Sequence, residues 1–196
     1  MPTSIPVEIP QKRLVSDGVL GMIFFLAAEG MFFAGLISAF VVNRASAGVW
    51  PPYGQPKLPV EVTGVNTMIL LASAITLWLF NRQVKNSTEK IKSQSLLYVT
   101  LLLGTIFLGI QGTEWVRLIQ FGLTTSSSLY GSFFYLIVGA HGIHVVAGLL
   151  ILFYLFSKTR GSCTLSALKN KATVCSMYWY FVVLVWPILY TLVYFA

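Results

Sequence analysis

The chain has 196 residues, of which 56% are hydrophobic and only 10% are charged. Soluble domains contain about 25% charged residues, so a soluble fold of this length could not bury so much apolar surface, and most of the chain must face lipid. The net charge of +7 does not indicate nucleic-acid binding, because the basic residues lie in short breaks between apolar runs, where they set membrane topology.

The first segment, residues 1–18, is predicted to be a cytoplasmic extension and not a cleaved signal peptide. It contains three prolines, followed by Lys12 and Arg13, before any apolar run begins. The next run is about 25 residues long, which exceeds the apolar core of a signal peptide, and no small-residue cleavage site follows it.

Five apolar stretches are long enough to cross a hydrocarbon core of about 30 Å at about 1.5 Å per helical residue. We therefore predict an all-α, polytopic membrane bundle, with residues 19–196 forming one domain of five transmembrane helices. The spans are placed at residues 19–43, 63–80, 94–116, 131–157 and 174–195.

The basic residues predict the orientation of the bundle. An odd number of spans puts the termini on opposite sides of the membrane. On the side of the N-terminus lie Lys12, Arg13, Arg82, Lys85, Lys90, Lys92, Lys158, Arg160, Lys169 and Lys171. The other side has only Arg44, Lys57 and Arg117. This bias predicts a cytoplasmic N-terminus and an external C-terminus, and it places two unpaired cysteines, Cys163 and Cys175, toward a reducing compartment.

Glu29 is the acid that most needs an explanation. It lies ten residues into the first span, about 15 Å deep, and nothing basic lies within one turn of it. A charge at mid-bilayer costs about 2.5–3.5 kcal/mol on insertion scales. Two interpretations stay open: a carboxyl that handles protons or binds a partner on another helix, or a neutral acid that hydrogen-bonds between helices.

Glu114 lies in the last turn of the third span, with Gln111 three residues before it and Arg117 three residues after it. This spacing puts the three side chains on one helix face. An ion pair between Glu114 and Arg117 at the membrane interface is the simpler interpretation, and a proton-related acid is the alternative.

His141 and His144 are three residues apart and are therefore predicted to share a helix face with Gly148. Two histidines on one helix could bind haem or a metal. They are the only histidines in the chain, however, and no third ligand is evident. We therefore favour a structural role or hydrogen bonding to lipid head groups, with another helix approaching closely at the glycines.

An aromatic cluster opens the last predicted span, with the sequence YWYF at residues 178–181 and Trp186 further on. The predicted span starts at residue 174, which places Tyr178 and Trp179 near a membrane face. Amphipathic rings are favoured there, so packing and anchoring are the predicted roles.

Several short motifs carry a resemblance to a known family. In chain order they are GMIF at 21–24, EGMFF at 29–33, WPP at 50–52 with Pro59, NT at 66–67, LLAS at 70–73, QGTE at 111–114, YGSFF at 130–134, GAHGIHV at 139–145 and YWYF at 178–181 with Trp186. Together they span more than 170 residues. On these motifs the chain resembles subunit III of the haem–copper oxygen reductases, the cytochrome c oxidase family, in its five-helix bacterial form.

The resemblance implies a subunit that carries no haem or copper itself. It would pack against catalytic subunit I, share a complex with subunit II, bind structural phospholipid between helices, and support proton uptake and oxygen access. The oxidase would reduce oxygen to water in a bacterial inner membrane and pump protons; association with a further respiratory complex is left open. The resemblance assigns Glu29 and Glu114 as the buried acids, and lipid or subunit contacts to His141, His144, Trp50, Trp179 and Tyr180.

Three departures from the family pattern stand out. The chain lacks the first two of the seven helices that many members have, so the resemblance leaves open whether this chain alone forms a complete lipid cleft. Tyr180 and Val183 occupy positions where the family has His and Asp, so a polar contact there must be missing or supplied differently. Ala140 replaces an aromatic residue before His141.

The sequence leaves three alternative functions. A quinol oxidase, or a companion of nitric oxide reductase, would keep the fold and change the complex. An independent carrier or proton channel is disfavoured, because the spans show no internal repeat and only Pro187, in the last span, interrupts one. A haem-binding cytochrome would depend on His141 and His144.

Overall fold

The computed structural model describes residues 16–56, 58–88, 94–161 and 164–195. These residues form five α-helices, which confirms the all-α prediction, and each helix is long and apolar enough to cross a membrane. The chain is therefore a multi-pass membrane protein. The helices are α1 (Asp17–Ser46), α2 (Val60–Asn86), α3 (Ser95–Gln120), α4 (Leu129–Arg160) and α5 (Leu165–Tyr194).

Three of the helices begin at a hydroxyl cap. The Oγ atom of Ser16 accepts from the amide of Val19 at 3.4 Å, and Ser128 caps α4 in the same way. Thr164 caps α5, which begins at Leu165, nine residues before the predicted start of this span at residue 174. Polar side chains end an apolar window but do not end backbone hydrogen bonding, so the helices extend past the predicted spans.

Consecutive helices run up and down. The Lys169 ammonium group at the start of α5 donates to the carbonyl oxygens of Lys85 and Ser87 at the end of α2. At the opposite end, the Tyr190 hydroxyl donates to the Val60 carbonyl. We call the end at which α1 begins the N-side and the other end the C-side.

The helices are not equally enclosed. α5 contacts α1, α2 and α4 and has the most buried span, whereas α1, of the five described helices, contacts only α4 and α5. Phe33 and Phe40 are the buried residues of α1, so most of this helix presents an apolar surface outward. In a membrane, such a surface faces lipid or another subunit.

Trp179 lies where α2, α3, α4 and α5 meet. Its Nε1 atom donates to Ser73 Oγ at 3.1 Å, and its ring fills the space left by Gly104 and Gly148. The side chain has no exposed surface. The predicted anchoring position and the contact with lipid or another subunit are therefore wrong for Trp179, because α5 starts earlier than predicted and places this residue in mid-helix inside the bundle.

Candidate functional site

The structure pairs Glu29 with His144. The Oε2 atom of Glu29 on α1 lies 2.9 Å from Nε2 of His144 on α4. Both residues are near the middle of their helices, and Glu29 is about 18 Å along the axis from the start of α1. The acid with no local basic neighbour thus has its partner on another helix.

The second nitrogen of His144 determines how protons are arranged in this pair. Nδ1 lies 2.7 Å from the carbonyl oxygen of Ala140, which can only accept, so Nδ1 carries a proton. One further proton then lies between Nε2 and the Glu29 carboxyl. Whether it is bonded to nitrogen or to oxygen, the pair has no net charge. A net-neutral pair avoids most of the cost of placing a lone carboxylate at mid-bilayer.

Two aromatic rings, one buried (Phe33) and one exposed (Phe32), flank His144. The ring of Phe33 meets His144 edge-on at 5.0 Å between centroids, and Phe32 stacks at 6.1 Å. The hydroxyl of Tyr178 donates to the main-chain carbonyl of His144 at 3.2 Å. The side chains of His144 and Glu29 retain 16% and 21% of their exposure, so the pair can be reached from outside the chain.

His141 has different surroundings from His144, although both are on α4. It is 1% exposed, and its ring stacks on Trp186 at 4.8 Å with Phe107 edge-on. Its two ring nitrogens have no hydrogen-bond partner in the described part of the chain. The predicted contact with a lipid head group or another subunit is wrong for His141, because Trp186 of α5, Phe107 of α3 and other packed side chains enclose the ring.

The metal or haem alternative required both histidines. Within the described ranges, no group of three histidine, cysteine or acidic side chains could hold a metal ion. His141 is enclosed by protein, and both nitrogens of His144 already have partners. Cys175 is a free thiol, and Cys163 lies outside the described residues.

Glu114 forms a second, separate acid site on the C-side. Its Oε1 atom accepts from Arg117 Nη1 at 3.0 Å. The Glu114 side chain is 7% exposed and that of Arg117 is 65% exposed, so the arginine covers the acid from the solvent side. Gln111 donates instead to the Tyr194 hydroxyl at 3.0 Å, which ties α3 to α5.

Tyr180 takes part in a polar contact that the sequence did not identify. The side-chain amide of Asn81 on α2 donates to Ser176 Oγ at 2.7 Å and to the Tyr180 hydroxyl at 3.2 Å. Val183, in the other departing position, is buried in the apolar core. The sequence does mark Asn81, because it is the first polar residue after the predicted second span. Its role in joining α2 to α5 is evident only from the contacts with Ser176 and Tyr180.

Trp50 lies in the segment between α1 and α2 and packs inward. Its ring contacts Phe40 and Tyr130 edge-on, at 5.5 and 5.4 Å between centroids. The residue is half-buried, so part of the ring stays available for a lipid or subunit contact on the C-side.

Comparison with known proteins identifies relatives over nearly the whole chain. The family model described as cytochrome c oxidase subunit III matches residues 10–196. A probable cytochrome c oxidase subunit 3 of Nocardia farcinica is 38% identical over 90% of this chain and 87% of its own length. A probable cytochrome c oxidase subunit 3 of Mycobacterium leprae is 37% identical over 90% of this chain and 86% of its own length. The cytochrome c oxidase subunit 3 of Synechocystis is 34% identical over 90% of this chain and 74% of its own length.

Proposed function

Because the chain belongs to the cytochrome c oxidase subunit III family and is thus a subunit of a haem–copper oxidase, we propose that it acts as a supporting subunit without a redox centre. It packs against catalytic subunit I, in a complex with subunit II, binds phospholipid, and supports proton uptake and oxygen access. Haem and copper belong to the partner subunits in this proposal, and cytochrome c is the electron donor. The names of the relatives support that donor.

The Glu29–His144 pair is the observation that carries the proposal. It holds one exchangeable proton between two helices at mid-depth, at 2.9 Å between Oε2 and Nε2. The pair can pass this proton between nitrogen and oxygen without creating net charge in the membrane. Its partial exposure lets a neighbouring subunit or lipid contact it, whereas the buried ring of Phe33 packs against His144.

The proposed orientation places the N-side in the cytoplasm of a bacterial cell and the C-side outside the inner membrane. Among the described residues, the N-side carries Arg82, Lys85, Lys158, Arg160, Lys169 and Lys171, and the C-side carries Arg44 and Arg117. Lys12, Arg13, Lys57, Lys90 and Lys92 lie outside the described residues. This bias among the described residues supports the proposal of a cytoplasmic N-side.

The test is a Glu29→Gln variant in the intact oxidase. Glutamine keeps the size of the side chain and a hydrogen bond to Nε2, but it removes the shared proton. We expect normal haem content and initial rate, together with a several-fold shorter functional lifetime during turnover or a lower proton-to-electron ratio. The matched control is Glu61→Gln, at an exposed acid in the first turn of α2. A Glu29→Gln enzyme that pumps and survives turnover like wild type would contradict the proposed role.

A further inference from the structure

A polar pocket opens at the N-side end of α2, away from the Glu29–His144 pair. It has a volume of about 230 Å³ and is lined by Trp78, Asn81, Arg82, Lys85, Asn86 and Tyr180. We propose that this pocket binds the head group of an anionic phospholipid of the phosphatidylglycerol type. The proposal deepens the lipid-binding part of the proposed function, on which it rests, by naming the site and the lipid class.

Two cations supply the attraction for a phosphate group. Arg82 and Lys85 are exposed side chains three residues apart in the last turns of α2. The Arg82 guanidinium lies 5.7 Å from the ring centroid of Trp78, which holds it at the rim of the pocket. In the described part of the chain, neither cation forms an ion pair with a carboxylate. Their charge is therefore available to an external anion.

Asn81, which lines the pocket, has an acceptor atom without a donor from the described chain. The amide nitrogen of Asn81 is used by Ser176 and Tyr180, but its Oδ1 atom is buried and has no hydrogen-bond partner among the described residues. Leaving a buried acceptor without a donor is costly, so a ligand hydroxyl that reached Asn81 on a small movement of its side chain would gain a hydrogen bond that the described residues do not supply. A glycerol head group offers such a hydroxyl next to its phosphate, whereas a choline head group has no hydrogen-bond donor.

The surroundings favour a lipid over a free anion. Trp78 and Leu79, which lead to the pocket along α2, are 52% and 37% exposed. A second concavity of about 480 Å³, lined by Leu79, Arg82, Gln83, Asn86 and Leu96, adjoins the first through Arg82 and Asn86. The charged pocket lies at a helix end beside an outward-facing apolar surface. A phospholipid at the membrane interface fits this arrangement, with its phosphate in the pocket and its acyl chains along the apolar surface.

The experiment compares lipid binding to the delipidated oxidase by native mass spectrometry. Wild type, an Arg82→Gln/Lys85→Gln double variant and a Lys158→Gln/Lys171→Gln control are each titrated with phosphatidylglycerol, phosphatidylcholine and inorganic phosphate. The control removes the same charge from the same side, at two lysines that lie over the Tyr154 ring outside the pocket. We expect the pocket variant to lose one bound phosphatidylglycerol, with apparent affinity at least tenfold weaker, and the control to keep it.

The other outcomes each overturn a different part of the proposal. Equal retention of phosphatidylglycerol by the pocket variant and wild type would exclude the site, and equal binding of phosphatidylcholine would exclude recognition of the hydroxyl. Competition by inorganic phosphate at the same concentration as lipid would indicate a free-anion site. Loss of a protein subunit without loss of lipid would identify a protein contact. Haem content and turnover are measured separately from lipid binding. Failure of the lipid site therefore leaves the evidence for the proposed oxidase function intact, and the two proposals can fail independently.

Discussion

The ring of Trp179 lies against the backbone of Gly148, so closely that a β-carbon at position 148 would stand 2.7 Å from ring atom Cε3. The same ring would meet a β-carbon at Gly104 at 2.8 Å. One large side chain thus sets the spacing of α3, α4 and α5. The stability of the bundle is therefore expected to be sensitive to added volume at these two glycines.

Gly148→Ala is expected to destabilise the bundle by about 1–3 kcal/mol, because the Trp179 ring is held by packing on several helices and cannot move aside freely. Thermal unfolding of the purified oxidase, with loss of this chain as the readout, measures the effect. Gly139→Ala is the matched control on the same helix, since a β-carbon there meets no atom within 4 Å. Equal destabilisation by the two variants would show that helix spacing at Trp179 is not tight.

Glu29 and His144 are expected to be energetically coupled. In a double-mutant cycle of Glu29→Ala and His144→Ala, each single variant leaves one polar group without its 2.9 Å partner, whereas the double variant removes both groups. The coupling free energy should lie between about 0.5 and 3 kcal/mol. Unfolding of the purified chain in denaturing detergent measures it. Additive effects of the two substitutions would contradict the shared-proton arrangement.

The pair Glu114–Arg117 should respond asymmetrically to substitution. Arg117→Gln leaves a 7% exposed carboxylate without its cation, so it should destabilise the protein by about 1–3 kcal/mol at neutral pH. Glu114→Gln should cost less, because the largely exposed arginine returns to solvent. The combined variant should recover part of the loss of Arg117→Gln. The thermal midpoint of each variant is the measurement, and a larger loss for Glu114→Gln would refute the asymmetry.

The sequence alone was enough to predict that most of the chain faces lipid, that it has five helices, and which family it resembles. Hydrophobic runs longer than a bilayer core are a local property of the chain, and each observed helix contains most of its predicted span. The same reasoning identified Glu29 as an acid that needs a partner, because the cost of a charge at mid-depth depends on its position along one helix. It could not identify that partner, since no local pattern specifies which helix packs against α1.

Only the tertiary structure distinguishes residues of the same type, such as the two histidines of α4, by their surroundings. Three helical positions rotate a side chain by about 60° around the axis, which is enough to place His141 under α5 and leave His144 at the edge facing Glu29. Trp179 lies at the centre of the bundle and not at the predicted membrane face. Its helix begins earlier than hydropathy alone predicts, because backbone hydrogen bonds and the Thr164 cap set where α5 starts. Asn81 and Tyr180 meet only because α2 and α5 pack together. Burial and contact between distant segments depend on how the helices pack against each other. The sequence of a single helix does not specify that packing.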